Sequence, residues 1–331
     1  MVKLGIALLG DTNTINSAKT AKIAEESGFS YVWVADESPT PPYRDVFVTL
    51  ASVASMTRKA KIGTGICNPY TRNPALLAVA ISTIDEICSN RAILGIGPGG
   101  SLSLGPLGIK RWEKPLSAIR ETVGICRSLF RGETSSFNGE LFKTIGVKLF
   151  RSPRKPIPIY VGAYGTQMLG LAGEVADGII TSAPLGYMPH VIDCVRKGAE
   201  KGGRRFQRVD IANWVPLCLS NKDTKARKIV RRDLTYVIAD YPNRVLESIG
   251  VDQEKALAIR NRLREGVVKA AELISDDMIE SCSITGTAAH CAEKILEYER
   301  VGVKQMVLGT PFGPNPIQSI RTIKRKVAPL L

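Results

Sequence analysis

The sequence predicts an α/β fold: a TIM (β/α)8 barrel with a helical insertion between strands 7 and 8. Three observations point there. Short apolar runs alternate with helix-length amphipathic segments, the pattern of parallel strands joined by crossover helices. Runs such as Val32-Trp33-Val34-Ala35 and Ala92 to Gly97 are apolar on both faces, as strands enclosed by helices must be. Eight such units occur in 331 residues, a length that α/β barrels reach around one core.

In chain order, Lys3–Leu9 reads as the first strand and Ser17–Ser27 as the helix after it, closed by Gly28 at the position after the helix cap. Tyr31–Asp36 is the second strand and Asp45–Thr57 its helix. Lys61–Ile66 follows, and the helix Pro74–Ser89 starts behind Asn73, an N-cap residue, with proline at its first position. Ala92–Gly97 precedes a helix over Pro115–Arg131. Ile157–Ala163 and Thr166–Ala176 form the fifth unit, Gly178–Ala183 and Tyr187–Gly202 the sixth. Asp210–Leu219 is the seventh strand. The stretch 221–285 is too long for one crossover and carries charges at helical spacing, so it reads as inserted helices within the same domain. Arg300-Val301-Gly302-Val303 repeats the helix, stop, strand pattern of Glu26-Ser27-Gly28-Phe29. Gln305–Thr310 and the helix Ile317–Val327 then close the ring.

Composition excludes several classes. The apolar fraction is 44% with mean hydropathy near zero, and no apolar run is long enough to cross a bilayer. The chain enters a strand pattern at once, without the features of a secretory signal, so a cytoplasmic location is expected. Seven scattered cysteines without Cys-x-x-Cys spacing and only two histidines argue against a metal centre; the cysteines read as small buried hydrophobes. The net charge of +14 gathers around residues 196–232 and 321–326 without interleaved aromatics, which fits solvated helix faces better than nucleic acid and also suits a small polyanionic ligand.

Barrel geometry confines the site to the C-terminal ends of the strands and the loops after them. Gly63-Thr64-Gly65-Ile66 to Pro74 is the most informative of these junctions, because glycines there let a flat ring system approach the backbone. Gly97-Pro98-Gly99-Gly100-Ser101 is equally compatible with a phosphate cradle and with a plain turn. Gly162-Ala163-Tyr164-Gly165-Thr166 leads into a helix whose free N–H groups suit an anion, and Thr181-Ser182 adds hydroxyls to the rim. Asp36-Glu37 offers two carboxylates at the mouth, of which only one can face a given substrate atom, since adjacent strand residues point to opposite faces. His190 and His290 lack a nucleophile partner and read as structural, which favours chemistry carried by a cofactor.

Val32 to Asp36, the block 65–74, the block 90–99, Leu107-Gly108-Ile109, Pro156 to Gly165 and Thr310 to Pro314 together resemble the bacterial luciferase-like superfamily, in its branch of coenzyme F420-dependent 5,10-methylenetetrahydromethanopterin reductases. The resemblance spans nearly the whole chain and implies hydride transfer between reduced F420 and a one-carbon unit on a pterin carrier, by a homodimer or homotetramer. Position by position it implies that Asp36, Gly65, Ile66, Gly97, Gly99, Gly162, Ala163, Thr181 and Ser182 line the cofactor, with a non-prolyl cis peptide at Gly65–Ile66. Two positions depart from the pattern. Ala7 stands where the reductases carry a strand-one glutamate thought to donate a proton, and Glu37 stands in place of a histidine, so either Glu37 takes over the acid role, as the candidate catalytic residue, or the substrate is another that needs no such acid. An FMN-dependent monooxygenase and a non-catalytic flavin- or pterin-binding barrel are the alternative readings.

Overall fold

The structure, a computed structural model, describes residues 1–37, 42–100, 104–109 and 114–331. Its strands are β1 (Lys3–Leu8), β2 (Tyr31–Val34), β3 (Lys61–Thr64), β4 (Ala92–Ile96), β5 (Ile159–Gly162), β6 (Gly178–Thr181), β7 (Asp210–Leu219), β8 (Ile284–Gly286) and β9 (Gln305–Phe312). All pairings between these strands are parallel. They run β6-β5-β4-β3-β2-β1-β9-β7, and β7 pairs back to β6, which closes eight strands into a barrel. The expected TIM barrel is therefore present. The sequence reading did not anticipate β8, a short strand that extends the end of β7 through Leu217, Cys218 and Leu219.

The helices outside the insertion are α1 (Thr14–Glu26), α2 (Val46–Met56), α3 (Pro74–Cys88), α4 (Pro115–Phe130), α5 (Thr166–Val175), α6 (Met188–Lys201), α12 (Ala288–Arg300) and α13 (Pro316–Thr322). Side-chain caps fix several starts. Asn13 accepts from the Asn16 amide and begins α1 earlier than apolar periodicity suggests, while Asp45 accepts from Phe47 and Val48 and Asn73 from Ala75. Between β7 and β8 run α7 (Asp223–Asp240), α8 (Asn243–Glu247), α9 (Gln253–Glu265), α10 (Val267–Ala271) and α11 (Asp276–Cys282).

Two apolar layers hold the barrel. Outward-facing strand residues such as Ile6, Val32, Ile62, Leu94 and Ile179 pack against the helices. The alternate positions, Ala7, Tyr31, Trp33, Ile93, Tyr160, Ile180, Ala212 and Val307, fill the lumen. Glycines make room for the large rings: a Cβ on Gly178 would lie 2.4 Å from the Tyr160 ring, and one on Gly309 would lie 2.4 Å from Trp214 Nε1. Trp33 Nε1 donates to Gln305 Oε1 at 2.5 Å, and the Tyr160 hydroxyl donates to Asp210 at 2.6 Å, which satisfies polar atoms that the lumen would otherwise strand.

Candidate active site

The floor of the barrel mouth is built at the end of β3. Gly65 N donates to Val34 O on one side and Cys67 N to Gly95 O on the other, so the chain changes partners across a single residue, Ile66, which bulges into the lumen. The Gly65–Ile66 peptide is cis. The Ile66 side chain lies across the adjoining strands in space that glycines leave open. A Cβ on Gly97 would come 2.2 Å from Ile66 Cδ1, and one on Gly162 would meet three Ile66 atoms at 3.1–3.2 Å. Gly65 packs on Trp33 and Trp214, and Trp214, half-buried, completes the floor beside Ile66. These glycines thus admit a neighbouring side chain that sets the floor.

The other expected residues divide. Asp36 and Glu37 lie just past β2, half-buried. Gly99, at φ 70°, turns the chain back toward Asn68 and Leu104. Ser182 lies just past β6, and its carbonyl accepts the Tyr241 hydroxyl at 2.8 Å. Strand alternation turns the side chains of Ala163 and Thr181 to the helix layer, because Gly162 and Ile180 occupy the lumen face beside them. Thr181 Oγ1 is buried there without a hydrogen-bond partner. Residues 38–41 and 101–103, including Ser101 of the glycine-rich loop, lie outside the described residues.

Ala7 is fully buried in the lumen opposite Trp33, so this position cannot supply an acid. Glu37 can. Burial, then the charges of Asp240 and Asp36, push its carboxyl up to about 7. Burial, then the charge of Glu37, raise Tyr43, and burial, with Asp240 and Glu37 among the contributing charges, raises Tyr164, just past β5.

A second feature of the rim is the start of α5. Its cap, Gly165, offers no side-chain acceptor to the free N–H groups. Thr166 Oγ1 there accepts from Arg244 at 3.0 Å and sits 3.1 Å from His190 Nε2. A helix N-terminus with a guanidinium beside it is suited to a phosphate-like group. All seven cysteines are buried and free, and burial raises Cys67 to about 12, so this thiol stays protonated.

The family model described as luciferase-like monooxygenase matches residues 9–305. The chain belongs to this family. Within it, this luciferase-like barrel is 36% identical to the 5,10-methylenetetrahydromethanopterin reductase of Archaeoglobus fulgidus, with all of both chains covered. It is 35% identical to the enzyme of the same name from Methanolobus tindarius, over 98% of each. Among solved structures, the coenzyme F420-dependent tetrahydromethanopterin reductase from Methanopyrus kandleri superposes with a TM-score of 0.93 at 31% identity, over 99% of both chains.

Sequence reasoning missed Trp214, Asp240, Tyr241 and Arg244. Trp214 had a signal, since a large ring inside a barrel requires glycine on a neighbouring strand, and Gly309 supplies it. The other three come from the insertion, where charge periodicity marks helices without saying which end reaches the barrel.

Proposed function

We propose that the chain is an F420-dependent reductase that passes hydride between reduced F420 and a one-carbon unit on a pterin carrier. The observation that carries this reading is the full-length correspondence, in sequence and fold, with reductases of that kind. The site fits the cofactor on its own terms: Ile66 and Trp214 form an apolar floor for a flat ring, and the uncapped start of α5 with Arg244 suits a phosphate. F420, when bound, supplies the hydride. Asp36, Gly65, Ile66, Gly97, Gly99 and Gly162 shape its place, Ser182 adds the rim, and Ala163 and Thr181 contribute backbone alone. As the methylene carbon gains hydride, the C–N bond that breaks leaves its electron pair on nitrogen, and the Glu37 carboxyl gives that nitrogen a proton.

The chain is read as one domain of a soluble, cytoplasmic homo-oligomer that engages neither nucleic acid nor membrane. No helix among the described residues is long and apolar enough to cross a membrane. The outer faces of α2 and α3 support assembly: Val48, Leu76, Val79 and Ile87 are all exposed, and α2 carries no charged residue. The deciding experiment is titration of the purified protein with F420 and with FMN, followed by fluorescence. Binding of F420 is expected, and tight FMN binding without F420 binding would overturn the assignment.

A further inference from the structure

The insertion lays α7 across the barrel mouth and holds it in two places. Thr310 Oγ1, near the end of β9, donates to Asp233 Oδ1 at 2.9 Å, and the Tyr241 hydroxyl, just past the helix, donates to Ser182 O beyond β6 at 2.8 Å. β7 lies between those two strands. The stretch from Asp233 to Tyr241, about 12 Å at helical rise, matches the roughly 10 Å of two strand spacings. Ala226, Val230, Leu234 and Ile238 are buried beneath the helix. Asp233 sits half-buried at the edge of that packed side, and Tyr236, one turn on, is 49% exposed. Across the mouth, Tyr43 is raised by burial and then by the charges of Glu37, Asp11, Tyr236 and Asp233, in keeping with this side of α7 being turned to the loops after β1 and β2.

From this placement we infer that Asp233 is a specificity-determining residue: its carboxylate binds the aminopyrimidinone edge of the pterin carrier, and the Tyr236 ring covers a face of the same heterocycle. Asp233 is a carboxylate without a cation. In a chain of net charge +14, the arginines of its own helix turn elsewhere, Arg227 to Asp223 and Glu280 and Arg231 to Asp276, and Asp233 makes no ion pair among the described residues. Burial pushes its carboxyl up, the Thr310 bond offsets part of this, and Asp11 adds to the push. Anchoring a threonine hydroxyl needs only a neutral oxygen such as an amide's, so a half-buried charge kept at this cost calls for donors that arrive with a ligand. A pterin supplies them. Its ring N–H and the neighbouring amino group stand side by side and match the two oxygens of a carboxylate, each of which accepts more than one bond, so Thr310 and the ring can share Oδ1. The inference rests on the carrier being a pterin, as the proposed function has it.

The test is calorimetric titration without turnover, with and without oxidised F420. Two carriers are compared: tetrahydromethanopterin and its 2-oxo counterpart, in which an acceptor replaces the amino donor. Wild type is expected to prefer the amino form by about ten- to a hundredfold. Asp233→Asn, whose amide still accepts from Thr310 but offers the ring a donor, is expected to lose most of that preference while binding F420 as before. Thr310→Val removes the anchor, keeps the carboxylate and is expected to retain the preference. Tyr236→Ala, at an exposed position, is expected to weaken both carriers alike, by roughly two- to tenfold. A wild type without the preference, or a folded Asp233→Asn that keeps it, overturns the inference and leaves the proposed function standing. So does a preference lost equally in Thr310→Val, which would make Asp233 a structural anchor. Should Asp233→Asn not fold, Asp233→Ser is read in the same way. A wild type that binds neither carrier removes the pterin reading and this site with it.

Discussion

Gly97→Ala tests whether the floor of the site is set by the fit of Ile66 between glycines. The new methyl would stand 2.2 Å from Ile66 Cδ1, whereas carbon atoms rest at about 3.5–4.0 Å. Ile66 has little room to withdraw. Its Cγ2 already lies 3.4 Å from the Cβ direction of Gly95, and three of its atoms fill the space above Gly162 at 3.1–3.2 Å. Overpacking of this kind costs roughly 1–3 kcal/mol. Ile66→Val removes the clashing carbon and leaves the added methyl against Cγ1 at 3.4 Å and the Gly162 carbonyl oxygen at 3.3 Å, a contact that must yield by a few tenths of an ångström. Alone, that truncation costs about 0.5–1.5 kcal/mol.

The double variant is therefore expected to lose only a little beyond Ile66→Val alone, through the Gly162 carbonyl, which leaves most of the roughly 1–3 kcal/mol overpacking cost as coupling in favour of the pair. Urea unfolding at one fixed protein concentration measures all four proteins, with equal slopes required before midpoints are compared. Additive losses would refute the reasoning, because they would mean that Gly97 is required by something other than the Ile66 side chain.

Other outcomes follow from the same packing. Ala7→Glu sets a carboxyl among Trp33, Ile93, Ile180 and Val307 and is expected to cost roughly 3–5 kcal/mol at pH 8 and less as acid neutralises it, measured by urea unfolding at several pH values. Glu37→Gln is expected to cut turnover about 10²–10⁴-fold while F420 affinity, followed by fluorescence, stays nearly unchanged. The same variant carries a stability signature: the folded carboxyl titrates about 7 against an ordinary 4.5, so wild type is at its best relative to Glu37→Gln below 4.5 and loses ground as pH rises through 7, which denaturation at pH 4, 6 and 8 records. To test the proposed assembly, wild type is expected to sediment as an oligomer and Leu76→Glu, on the exposed face of α3, as a monomer in analytical ultracentrifugation, with the barrel still folded by circular dichroism.

Much of the barrel was legible because its strands are apolar on both faces and its helices carry local stop and start signals. Asn73-Pro74 predicts the start of α3, and Gly28 and Gly302 predict chain reversals, from chemistry that acts within a few residues. The site was less legible, for two physical reasons. Strand ends decide which way a side chain points, and a boundary error of one or two residues hides the alternation that turns Ala163 and Thr181 outward. Glycines at the strand ends signal close approach, but the sequence does not name what approaches; at Gly97 and Gly162 it is Ile66. Tyr241 lies 59 residues from Ser182, and only the closed barrel brings them together.

Separating the floor from the roof has a consequence for how such a site varies. The floor is fixed by the barrel itself: Ile66, Trp214 and their glycines interlock, so a change at one requires a change at another. Tyr241 and Arg244, in contrast, reach the mouth from the turn after α7 and from α8, and bond to the Ser182 carbonyl and the Thr166 hydroxyl. Substitution in this segment is expected to alter the Arg244–Thr166 and Tyr241–Ser182 contacts while the lumen packing stays intact. On the proposed reading, in which Glu37 is the acid, Ala7 in the place of a strand-one acid fits the same division, because a rim carboxyl pushed up by burial and then by neighbouring charge would meet the chemical need without burying a carboxyl in the apolar lumen.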